Sequence, residues 1–136
     1  MQDRTLSPDL RIRWAGVALV AVERKGKAGG LDPLASLAEE TSIRSYVISR
    51  LGRVDDGSPR DLGLLCRRVI EALGPDRTEA SRAAARWRQA ERAEILRLRR
   101  IKNVLTPLTY VVGELEEHDP LRAEVDGWLA LLPHLP

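Results

Sequence analysis

The chain has 136 residues, 43% apolar and 31% charged, with 22 basic against 20 acidic residues for a net charge of +2. That length supports one domain with one core, and the aliphatic content excludes a disordered chain. A single cysteine, Cys66, excludes an internal disulfide framework and fits a reducing compartment, so a cytoplasmic protein is expected.

Seven helices are expected, at about 8–26, 33–41, 43–53, 59–73, 77–105, 107–117 and 120–132, packed as a compact all-α bundle. The first opens at Ser7-Pro8, an N-cap side chain before a proline whose missing N–H suits the first helical position. Leu10, Trp14, Val17 and Ala21 share its face. The apolar run "WAGVALVAV" at 14–22 is well below the roughly 20 residues that span a bilayer. It follows a charged dozen and lacks a clear cleavage site, so neither a membrane anchor nor a signal peptide is expected. "GKAGG" ends the segment; its lysine does not follow the glycine loop as phosphate-binding loops require.

Asp32-Pro33 opens the stretch "LASLAEETSIRSYVISRL" at 34–51. Its spacing admits a helix-turn-helix, with Leu37, Ala38, Ile43, Ile48 and Leu51 inward and a turn at Ser42, where glycine would be usual because φ is positive. Arg44, Ser45, Tyr46, Ser49 and Arg50 would then face outward as a DNA-reading set, and the chain would be a transcriptional regulator. Two plain helices of a bundle reproduce the same spacing.

Ser58-Pro59 opens the next helix, with Leu62, Leu65, Cys66, Val69 and Leu73 on one stripe. Asp76, with Glu79 three residues on, opens the longest, 77–105. At 100° per residue, Ala80, Ala83, Ala84, Trp87, Leu98, Ile101 and Leu105 share an arc that Glu91 and Glu94 interrupt. Arg82, Arg86, Arg97 and Arg100 flank one side of it. Arg88, Arg92, Arg99 and Lys102 flank the other. Two such stripes over about 30 Å could follow a phosphate backbone, because guanidinium groups offer bidentate donors to phosphate oxygens. A solvated arginine-rich helix is the alternative. Thr106-Pro107 and Asp119-Pro120 open the last two helices, whose apolar residues are Leu108, Val111, Val112 and Leu115, then Leu121, Val125, Trp128, Leu129 and Leu132.

Charge is uneven along the chain. Residues 77–102 hold nine basic and three acidic side chains, a balance of +6, whereas 113–128 hold six acids against Arg122, a balance of −5. This suggests one face for a polyanion and an acidic end for a neighbouring copy or another subunit.

Enzyme chemistry finds little to build on. His118 and His134 with one distant cysteine do not assemble a zinc site, so no metal and no cofactor is expected. The carboxylate pairs Glu39-Glu40, Asp55-Asp56 and Glu116-Glu117 are sequence neighbours that diverge by about 100° on a helix. Cys66 lies on an apolar stripe and reads as a packed core thiol.

"TSIRSYVISRLGRV" at 41–54, followed by "LRRIKNVLTPLTYVVGELEE" at 98–117, resembles the small helical subunits of multisubunit CRISPR effector complexes. Those have a Thr/Ser-x-Ile-Arg helix start and a later basic helix running through a leucine-proline step into a tyrosine-bearing helix. The resemblance implies a non-catalytic bundle, repeated along a guide RNA as part of a ribonucleoprotein in antiviral defence. It would touch RNA or single-stranded DNA backbone, other subunits and copies of itself, with no membrane involved. A helical protein-binding adaptor is a further reading; it requires an apolar surface stripe.

Overall fold

The computed structural model describes residues 32–136, and over them the chain is all-α, without a strand. It contains α1 (Pro33–Leu51), α2 (Leu62–Leu73), α3 (Arg77–Ala85), α4 (Arg92–Leu105) and α5 (Pro120–Leu129). Short 3-10 turns occupy Trp87–Gln89, Thr106–Tyr110, Val112–Glu114 and Leu132–His134. The helix expected at 8–26 lies outside the described residues.

Helix α1 begins as its sequence dictates. Asp32 Oδ1 accepts the Leu34 N–H at 2.8 Å and Pro33 takes the first turn. It ends at Gly52, whose φ of +82° is open to glycine at no steric cost, and whose N–H donates to Ile48 O at 2.8 Å. Arg60 completes the end by donating to the carbonyls of Gly52, at 2.8 Å, and Leu51.

The two helices expected at 33–41 and 43–53 are this one continuous helix. Ser42 has no positive φ, so the turn that a helix-turn-helix needs is absent, and Thr41 to Arg44 lie in mid-helix rather than at a start. The buried face explains the continuity. Leu37, Thr41, Ser45 and Ile48 are spaced by four, four and three residues, which is one side of a single helix.

Helix α2 starts at Leu62, not at residue 59. Asp61 outcompetes Ser58 as cap because its carboxylate serves two donors, Leu64 N–H and Gly57 N–H, each at 2.9 Å. Gly74, with φ +81°, ends it as Gly52 ends α1.

The single helix expected at 77–105 is broken into α3, the 87–89 turn and α4. Continuing α3 unbroken would carry Glu91 and Glu94 onto the core face. Instead Ala90 and Glu91 become extended, both carboxylates fall at the start of α4 beside its positive dipole end, and Leu98, Ile101, Val104 and Leu105 turn inward.

The helix expected at 107–117 is also corrected, to two 3-10 turns. Gly113 lowers helix propensity there. Thr106 and Thr109 donate their hydroxyls to the Lys102 and Thr106 carbonyls, each at 2.7 Å. Helix α5 keeps its expected start, Asp119 Oδ1 accepting from Leu121 N–H at 2.9 Å, but stops at Leu129 before the turn at 132–134.

Helix α1 packs against α2, α4 and the 106–110 turn, α2 against α5, and α3 against α4. Between them lies a core that includes Leu65, Val69, Ile101, Leu105, Leu108 and Val125, all fully or almost fully buried.

Candidate nucleic-acid interface

The outer face of α4 follows from its inner one. With Leu98, Ile101 and Leu105 buried, helical spacing sets Arg92, Leu96, Arg99 and Asn103 on the opposite side, and all four are exposed. Leu96 is 43% exposed, an apolar residue between two guanidinium groups. Arg97 is exposed on the flank. Neither Arg92, Arg97 nor Arg99 makes an ion pair among the described residues.

The remaining expected backbone-binding residues divide. Arg100 is half-buried and pairs with Asp32 at 3.0 Å, tying α4 to the start of α1. Lys102 is half-buried at the α1–α4 junction. Arg82 is exposed on α3. Arg86 and Arg88 line a separate cavity of about 370 Å³ with Trp87 and His134, where the Arg88 guanidinium lies 5.1 Å from the Trp87 ring centre. The break at 86–91 thus divides the two continuous stripes, and Arg92 and Arg99 on α4 are the part that stays in line.

The DNA-reading set on α1 divides too. Arg44 is only 11% exposed, donates to Glu40 at 3.1 Å and reaches the Ser58 carbonyl at 3.3 Å, so it holds the helix to the following loop. Glu40 also binds Arg68 of α2. Ser45, expected outside, is 3% exposed, and its hydroxyl lacks a hydrogen-bond partner among the described residues. Tyr46, Ser49 and Arg50 remain at the surface, with the Arg50 guanidinium 5.5 Å from the Tyr46 ring centre.

Because α1 packs on α4 and the 106–110 turn, the surface parts of both sets become neighbours. Two depressions lie along this seam. One, of about 700 Å³, is lined by Ala38, Glu39, Ile43, Lys102 and Asn103; the other, of about 620 Å³, is lined by Tyr46, Arg50, Tyr110 and several hydroxyls. They share Ser42, Thr106 and Pro107, and Asn103 on the outer face of α4 lines the first of them. Sequence reasoning passed over Tyr110 as a site residue. Its signal was its absence from the apolar series Leu108, Val111 and Leu115; it is 77% exposed.

Opposite in charge, the segment 113–128 exposes Glu114, Glu116, Glu117, Glu124 and Asp126, while Arg122 is occupied by Asp126 at 3.6 Å and the Leu115 carbonyl at 2.9 Å. Among the described residues no group of three or more His, Cys, Asp or Glu could hold a metal, and no helix is long and apolar enough to cross a membrane. Cys66 is fully buried, and burial pushes its thiol up to about 12. Comparison with protein families, curated proteins and solved structures returns no match for this chain.

Proposed function

We propose that this protein is a non-catalytic helical subunit that binds the backbone of single-stranded nucleic acid within a multi-copy assembly. The observation that carries the reading is the outer face of α4, where Arg92 and Arg99 are exposed and unpaired among the described residues, on the same side as Asn103, which lines the seam between α1 and α4. Unpaired arginines on one helix face suit phosphates spaced along a strand, and binding them releases counterions. The segments 41–54 and 98–117 that carry the resemblance to CRISPR small subunits pack together here, but Thr41 to Arg44 lie within α1 and Tyr110 lies in a 3-10 turn, so the reading stands on the arginine face rather than on that pattern. The exposed acids of 113–128 suit contact with the basic face of a neighbouring copy.

Titration of the full chain with single-stranded RNA and DNA of 10 and 40 nucleotides tests the reading. The expected result is weak, salt-sensitive binding to the short strands and cooperative binding of several copies to the long ones. Selection of one defined duplex sequence, or no binding to either strand at low salt, overturns it.

A further inference from the structure

The cavity between α1 and the 106–110 turn has a composition that phosphate binding alone does not require. Two tyrosines, Tyr46 and Tyr110, line it, and Tyr110 is 77% exposed with no packing role in the core. Arg50 already lies over the Tyr46 ring, its charge facing no carboxylate partner among the described residues.

The hydroxyls around the cavity are not equivalent. Ser49 donates to the Tyr46 carbonyl at 2.9 Å and Thr106 to the Lys102 carbonyl at 2.7 Å, so both are satisfied by their own backbone. Ser45 lines the same cavity, is almost wholly buried, and its Oγ has no partner among the described residues. Leaving a buried hydroxyl unpaired is unfavourable, and a polar ligand group in the cavity relieves it.

From this combination we infer that the cavity takes one unstacked base of a bound single strand, stacked on Tyr110, with Ser45 hydrogen-bonding its polar edge and Arg50, held over the Tyr46 ring, meeting the adjoining phosphate. A volume of about 620 Å³ lies within the range of about 300–1,000 Å³ typical of small-ligand sites. Every base has a π-face, so stacking holds a strand without demanding a sequence. The inference rests on the single-strand reading above and adds base contact to it.

The experiment compares a 12-nucleotide single strand with its fully abasic counterpart, which keeps the phosphates, in binding to the full chain at several salt concentrations. The intact strand is expected to bind about tenfold tighter, with the same salt slope. Tyr110→Ala should abolish that preference and Tyr110→Phe should retain it; neither disturbs the core, because Tyr110 is exposed. Ser45→Ala should reduce the preference several-fold while leaving thermal stability unchanged or higher, a pairing that a purely structural hydroxyl would not give. Equal binding of the two strands with an intact salt slope, or a preference unaffected by Tyr110→Ala, overturns the cavity inference alone. Absence of binding to both strands overturns it together with the proposed function.

Discussion

Asp61 shows how one side chain can set a helix and a loop together. Burial opposes its charge, but the Leu64 and Gly57 amides and the nearby Arg67 outweigh that, and its carboxyl is held below the ordinary value. The native state therefore holds the carboxylate charged at a pH where the unfolded chain already binds a proton. This stabilisation is complete above the unfolded value, near 4, and is lost as pH falls through the folded one. Asp61→Asn keeps an acceptor for the cap and removes the charge. Urea unfolding between pH 2.5 and 7 should show the variant less stable by about 1 kcal/mol at pH 7, with the difference shrinking below about pH 4. A constant difference across that range would contradict this account of Asp61.

Among the elements, what could be read in the sequence depended on whether caps or periodicity carried the signal. Asp32-Pro33 and Asp119-Pro120 fixed two helix starts, because each satisfies an orphan backbone group locally, and the end of α2 at Leu73 was expected, whereas the end of α1 at Gly52 fell inside the helix expected at 43–53. Continuity across Ser42 was hidden. Two polar residues, Thr41 and Ser45, sit on the buried face of α1 and mask its period, so the apolar residues alone imitated two helices. The break before α4 was visible, as Glu91 and Glu94 interrupting an apolar arc, although its consequence, a re-phased second helix, is a property of packing rather than of local propensity. The cavity was not legible either, since Tyr46 and Tyr110 meet only through the packing of α1 on the 106–110 turn.

That break also leaves an element-level weakness. Glu91 is the N-cap of α4, yet its side chain makes no capping bond; the shorter Asp or Ser places an oxygen where the second and third amides can reach it. Glu91→Asp should therefore raise stability by about 0.5–1 kcal/mol, read as a higher urea midpoint at unchanged slope. Loss of stability would mean that the Glu91 side chain has another structural role.

At the scale of the molecule, charge among the described residues is separated between an α4 face that exposes arginines without ion-pair partners there and a segment at 113–128 that exposes acids. A contact between unlike surfaces of successive copies does not close on itself, so it extends along a strand. Glu116→Lys with Glu117→Lys should lower cooperativity on a 40-nucleotide strand while leaving or raising affinity for a 10-nucleotide one, because it removes attraction between copies and adds positive charge. Mass measurement of the complexes distinguishes the two effects. A stable two-fold dimer in isolation would contradict head-to-tail assembly.

The central claim is that the outer face of α4 meets phosphates, and the salt dependence of single-strand binding by Arg92→Ala with Arg99→Ala tests it most directly. Both side chains are exposed and off the core face, so the fold should persist. Each lost phosphate contact should reduce the slope of log K against log salt by about 0.7, so the double variant should bind more weakly with a slope lower by about 1.4. A folded double variant that keeps the wild-type slope would contradict the account.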